Sequence, residues 1–164
     1  MLEAMLQDWV AVVFWGLVST AVMATVLEGA QVMGFSRLSF PFLFGTYVTG
    51  SRRRAMILGY VLYLMGGWLF ASLYALLLDA LWRVWWVGLL AGLGHGIFLV
   101  VVFFPLLPYV HPRIANEYDG PSALRRLEPP GAFGLNYGRA TPVSTVLAQG
   151  LYGLIFAFGY SHVG

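Results

Sequence analysis

Few side chains in this sequence are able to do chemistry, and four of them interrupt long apolar runs: Glu28, Tyr63, His95 and Gln149. His95 stands at the centre of Leu90-Ala91-Gly92-Leu93-Gly94-His95-Gly96-Ile97-Phe98, ringed by Ala91, Gly92, Gly94 and Gly96. An ionisable group in the middle of such a run is a functional hypothesis by default. Three readings of it are open. One is a neutral imidazole hydrogen-bonded to a neighbouring helix, with Gln149, Ser19 or Thr20 at matching depth. Another is an axial ligand to a tetrapyrrole, the glycines making room for the macrocycle. No second histidine lies in an apolar run, so this predicts a single-ligand pigment rather than a bis-histidine haem. The third is a step on a proton or substrate path.

Glu28 lies toward one end of the first apolar run, roughly 10 Å from its middle at the helical rise per residue. It reaches the cytoplasmic interface, or pairs with Arg37 or one of Arg52, Arg53 and Arg54, or sits in a polar cavity as in proton-coupled carriers. His111, Glu117 and Asp119 could be gathered around a metal, but their spacing is not diagnostic, and the chain has no His-x-x-x-His or Glu-x-x-His pattern. Also missing are a glycine-rich phosphate loop, a Gly-x-Ser-x-Gly elbow and a dinucleotide fingerprint. The absence of cysteine excludes disulfides and thiolate chemistry, and the absence of lysine excludes a Schiff base. The inventory therefore predicts no enzyme, no metal and no obligatory cofactor.

The elements that would position these residues follow from composition. With 60% hydrophobic and 10% charged residues, the chain cannot cover itself with polar groups in water. Soluble domains carry about 25% charged residues. The expected object is an all-α transmembrane four-helix bundle, one domain over the whole chain. Its spans cover about residues 9–33, 55–78, 84–109 and 142–160, each long enough for a hydrocarbon core. Connections at about 34–54 and 110–141 join them on one side. The first is too short to span and is broken by Pro41 and Gly45, so it lies in the interface or folds back. In the second, Phe133, Leu135 and Tyr137 suggest that part of the connection packs on the bundle, and Thr141-Pro142 reads as an N-cap followed by proline at the first helical position. Tyr60, Tyr63, Gly66, Gly67, Ser72 and Tyr74 mark a small and polar side of the second span. Pro105 and Pro108 bend or end the third. The start carries Glu3 and Asp8 and no basic residue, unlike a secretory signal, so the first span is expected to be retained.

Arginine sets the orientation. Eight of the nine arginines fall in the two longer connections, and Arg83 alone falls on the other side. The bias puts the connections in the cytoplasm and both termini outside a bacterial inner membrane. Arg52, Arg53, Arg54, Arg125 and Arg126 are expected to set topology and touch anionic lipid, not nucleic acid. Trp9, Trp15, Trp82, Trp85 and Trp86 would form the outer aromatic belt. Residues 67–74 and 153–160 share Gly, Phe, Ala and Tyr in register, a faint echo of a two-plus-two repeat.

Several segments together have a familiar look: Phe104-Pro105-Leu106-Leu107-Pro108, His111-Pro112-Arg113, Glu128-Pro129-Pro130-Gly131, Phe133-Gly134-Leu135-Asn136-Tyr137-Gly138, and Leu151-Tyr152-Gly153 in the last span. Over most of its length the chain resembles a group of small bacterial four-helix inner-membrane proteins, the YagU-like kind. That resemblance implies the four-span fold and no activity. Tyr63 and Gln149 stand where such proteins often have histidines, which weakens a metal or haem reading. Three functions are expected in turn. The first is a non-catalytic accessory subunit packing against a larger membrane complex of respiratory or photosynthetic type, or against copies of itself. The second is a small proton-coupled carrier or channel acting as a dimer through Glu28, His95 and Gln149. The third is an interfacial lipid-modifying enzyme using Glu28 and His111.

Overall fold

A computed structural model of the chain describes residues 8–116 and 122–162. The fold is all-α, and no strand forms among these residues. The helices are α1 (Trp9–Val32), α2 (Phe40–Val48), α3 (Arg52–Ala80), α4 (Trp85–Phe98), α5 (Phe104–Val110) and α6 (Thr141–Ser161). A π-helical turn, Leu99–Phe103, joins α4 to α5, and a 3-10 segment covers Ala132–Tyr137. Four helical stretches are long and apolar enough to cross a membrane: Trp9–Val32, Arg52–Ala80, Trp85–Val110 and Thr141–Ser161. The protein is thus a multi-pass membrane protein, with span limits within about three residues of those expected, the usual fraying of boundaries. Large apolar side chains such as Ile57, Leu69 and Leu90 are exposed, as helix faces turned to lipid require.

The third span accommodates its prolines in a particular way. A proline ring crowds the carbonyl four residues back and offers no N–H. In the π turn the Phe104 amide bonds to the Leu99 carbonyl, and this widening lets the helix run through Pro105 and Pro108 before it ends at Val110. The prolines neither stop the helix early nor shorten the span.

The chain divides into two compact units. One comprises the chain up to Val26, Leu64–Gly96 and Val146 onward. It is built on small residues at four-residue spacing. A Cβ on Gly16 would lie 2.7 Å from that of Ala71, and one on Gly67 would lie 2.1 Å from Thr20 Oγ1. So Gly16 and Thr20 on α1 face Ala71 and Gly67 on α3. In the same unit Gly88, Gly92 and Gly96 form one stripe of α4. Their Cβ atoms would fall 2.3 Å from the Gly153 carbonyl oxygen, 2.2 Å from that of Gln149 and 2.6 Å from Val146 Cα. Here α4 and α6 touch backbone to backbone, the arrangement small residues permit in lipid. The buried face of α3 holds Gly67, Ala71, Tyr74, Ala75 and Leu78, while Ser72 turns outward to bond the Trp68 carbonyl.

The other unit comprises Leu27–Tyr63 and Ile97–Thr145. Helix α2 opens on Ser39, whose hydroxyl accepts from the Phe42 amide, with Pro41 in the first turn. It folds back on the start of α3. Cβ atoms on Gly45 and Gly59 would each lie 1.7 Å from a carbonyl oxygen, those of Ala55 and Pro41 respectively. The two connections interlock here. The Arg37 amide donates to the Tyr137 carbonyl, the hydroxyls of Ser36 and Thr141 lie 2.8 Å apart, and Arg37 pairs with Glu128 at 3.1 Å. Part of the second connection packs as expected, but not through Phe133 and Leu135, which are about half exposed. Gly134 between them is the residue that packs, with no room for a side chain beside the Phe104 ring.

The glycines predict their own mutants. Gly92→Ala forces α4 and α6 apart and should cost about 1–3 kcal/mol, as overpacked cores do. Gly94→Ala, with nothing within 4 Å of its Cβ position, should be neutral or gain the up to ~1 kcal/mol of helix propensity that separates alanine from glycine. Unfolding of both variants in detergent micelles checks the contrast.

Candidate functional site

In the first unit, His95 is half-buried. Its hydrogen-bond partner is Tyr74, whose Oη lies 3.4 Å from His95 Nδ1, rather than Gln149, Ser19 or Thr20. The Phe70 ring lies against the imidazole, with centroids 4.2 Å apart. The neighbouring glycines do not open space for a macrocycle. Gly92 and Gly96 are filled by α6, and Gly94 faces outward. The tetrapyrrole reading thereby loses the observation that motivated it. Gln149 is buried beside the same seam, its backbone pressed on Gly92 and its Cβ 3.2 Å from the Cβ position of Gly96. Helical geometry explains the split: residues at 88, 92 and 96 share a stripe, and His95 projects beside it.

A feature the sequence reading missed runs along α6. Tyr152, Phe156 and Tyr160, at four-residue spacing, are buried and stack in succession, with interplanar angles of 6° and 14°. Tyr74 meets Tyr152 and Phe156 edge-on, and the Tyr152 hydroxyl donates to the Gly67 carbonyl at 2.6 Å. The ladder ends at Arg83, whose guanidinium carbon lies 4.6 Å from the Tyr160 centroid. Arg83 also pairs with Asp79 at 2.6 Å and Asp8 at 2.9 Å, and the Tyr160 hydroxyl donates to Asp79. One arginine thus ties the beginning of α1 to the end of α3 and the end of α6. The aromatic spacing on α6 was the available signal.

In the second unit, Glu28 accepts a hydrogen bond from Tyr60. Of its open readings, the ion pair does not form: Arg37 pairs with Glu128, and no salt bridge joins Glu28 to Arg52, Arg53 or Arg54 among the described residues. Tyr63, three residues beyond Tyr60 on α3, stacks on Phe40 and lies tilted against Phe44. Its hydroxyl is buried without a partner among the described residues, and so are those of Ser19 in the first unit and Thr145 in the second.

His111 is the best-defined polar centre. The Arg113 amide can only donate, and it donates to Nδ1 at 3.1 Å. The ring proton therefore sits on Nε2, which donates to the Leu43 carbonyl at 3.0 Å with Thr46 Oγ1 at 3.2 Å. Tyr47 meets the ring edge-on at 4.1 Å, and Arg113 Nη1 donates to the carbonyls of Thr46 and Tyr47. With both nitrogens engaged and 1% exposure, His111 joins α2 to the end of the third span. It has no lone pair to offer a metal and no free site for acid–base work, so the pairing of Glu28 with His111 in a lipid-modifying site lacks its base. Glu117 and Asp119, the other members of the expected metal grouping, lie outside the described residues. No group of three or more metal-ligating acids and histidines occurs among those described. Of the expected lipid-facing arginines, Arg125 donates to the Ile114 carbonyl, and Arg52, Arg53, Arg54 and Arg126 are exposed.

Burial holds the His111 imidazolium below its ordinary range near 6.5, and the Arg113 charge adds to this against the hydrogen bond to Leu43. The unfolded chain therefore takes up the proton first, and stability present at neutral pH falls as pH drops through about 6.5. Replacing His111 with Gln should lower stability at pH 7.5 and flatten the decline between pH 7.5 and 5, read as thermal midpoints in detergent. A decline of unchanged slope would show that another group carries it.

No protein-family model, curated protein or solved structure matches the chain.

Proposed function

We propose that this chain is a non-catalytic subunit of a bacterial inner membrane, both termini outside, packing by its helix faces against a larger membrane complex. The supporting observation is a contrast among glycines. Those at 16, 67, 88, 92, 96 and 153 are filled by a neighbouring helix. Gly29, Gly66 and Gly94 lie on the same long helices with nothing within 4 Å of a Cβ position. In lipid, small residues mark the places where helices approach. These three stand among large exposed side chains, such as Met65 and Leu69 beside Gly66 and Leu90 and Ile97 beside Gly94. Knobs flanking a notch suit another helix better than they suit lipid chains. The arginine count supports the orientation, and kinship with the YagU-like proteins is part of this reading.

The carrier reading is kept as a second proposal, because the hydroxyls of Ser19, Tyr63 and Thr145 are buried with no partner among the described residues. Buried polar groups left this way call for water or a passing solute. Native mass spectrometry of the protein extracted gently from its host membrane separates the two. The subunit reading expects a hetero-complex of fixed stoichiometry, with recovery of the partner falling in Gly66→Leu and Gly94→Leu variants. A lone monomer or homodimer overturns it. In that event the carrier reading expects flux in liposomes that Glu28→Gln and His95→Ala abolish.

A further inference from the structure

The second unit contains a cationic pocket that the function above does not use. Its cavity, about 260 Å³, is lined by Arg52, Arg113 and Arg126 together with Phe42, Leu124 and Leu127. The three arginines come from separate parts of the chain, and the fold assembles them. Arg52 opens α3. Arg113 is set by its bonds to the carbonyls of Thr46 and Tyr47 and by its amide on His111. Arg126 is brought opposite by a bridge between Ile114 and Leu127, in which the Leu127 amide donates to the Arg113 carbonyl at 2.9 Å and the Ala115 amide to the Leu127 carbonyl at 3.1 Å. None of the three has a carboxylate partner among the described residues, whereas Arg37 and Arg83 do. The first amides of α3 add the positive end of a long helix dipole beside Gly50 and Arg52.

We infer that this pocket binds a phosphate group, held by Arg52, Arg113 and Arg126. Guanidinium forks match phosphate oxygens in pairs, and three of them line one cavity with no acid among the described residues, a charge that an anion would balance. The apolar half of the lining favours a phosphate attached to hydrocarbon. Phe42, Leu124 and Leu127 lie next to the arginines, with Leu124 59% exposed. An anionic phospholipid offers that combination, and free phosphate offers the charged half alone. The site is independent of whether the chain has a protein partner. It also differs from a diffuse basic surface, because Arg53 and Arg54 do not line it.

That difference supplies the test. The full chain is placed in phosphatidylcholine nanodiscs carrying a minor fraction of phosphatidylglycerol, and retained lipid is read by native mass spectrometry. Wild type should keep one phosphatidylglycerol in preference to phosphatidylcholine. The double variant Arg52→Gln/Arg126→Gln should lose that preference about tenfold, as loss of two charge-assisted contacts implies. The variant Arg53→Gln/Arg54→Gln removes the same charge and should keep it. Both doubles alter exposed side chains, and unchanged helical circular dichroism confirms that they fold. Equal losses in the two doubles, or no preference in wild type, overturn the pocket in favour of surface charge. Displacement of the lipid by millimolar inorganic phosphate upholds the phosphate chemistry with the free anion as occupant, and resistance to it upholds the lipid.

Discussion

Backbone contact through missing side chains is the interaction on which each unit depends. In lipid the helices gain nothing from hiding apolar surface, because the solvent is equally apolar. What holds them is dispersion and weak polar contact, and both require close approach. The pairings of Gly16 and Thr20 with Ala71 and Gly67, of Gly88, Gly92 and Gly96 with α6, and of Gly45 with Ala55 meet that requirement in the same way. A four-residue spacing keeps small residues on one stripe of a helix. Leucine at any of these places would separate the helices and lose contacts along their whole length.

Close packing leaves polar side chains few places to go, and tyrosine is the common answer. Tyr74 meets His95, Tyr60 meets Glu28, Tyr152 meets the Gly67 carbonyl and Tyr160 meets Asp79. Tyrosine combines an apolar ring that lipid and neighbouring helices tolerate with one hydroxyl at its tip. The carboxylate and the imidazole of the spans are thereby bonded without a second charge in the hydrocarbon. Arg83 is the exception that supports the rule. It meets two carboxylates and an aromatic face between α3 and α4, beyond the end of the apolar run.

The spans were legible in the sequence because their signal is length and composition, which lipid enforces without reference to partners. The contents of their faces were less so. Gly92, Gly94 and Gly96 were visible as letters, yet around His95 they read as space for a ligand. Only the register of α4 against α6 shows that a neighbouring backbone occupies that space at Gly92 and Gly96. Depth matching proposed Gln149 for His95 and failed because it fixes height, not azimuth. Tyr74, six residues from the end of α3, was the nearer partner. An arginine partner was one open reading of Glu28, since opposite charges are the obvious pairing on paper. The fold gave Arg37 to Glu128 through contacts between the two connections, a long-range arrangement that no local pattern announces.

Charge on one side of a membrane protein is usually explained by topology alone, and here that explanation is incomplete. Orientation needs only that positive residues lie near the span ends on one side, in any arrangement. It does not require that the Arg113 amide dictate the tautomer of His111, or that its guanidinium close the end of α2. Nor does it require a bridge at Ile114 and Leu127 to bring a second arginine alongside. Those features fix positions, and fixing a cation in place costs side-chain entropy that topology would never repay. An arginine count can be conserved in a disordered loop. An arginine hub built on a buried histidine needs a folded one, so the longer connection is part of the protein's working structure rather than a tether between spans.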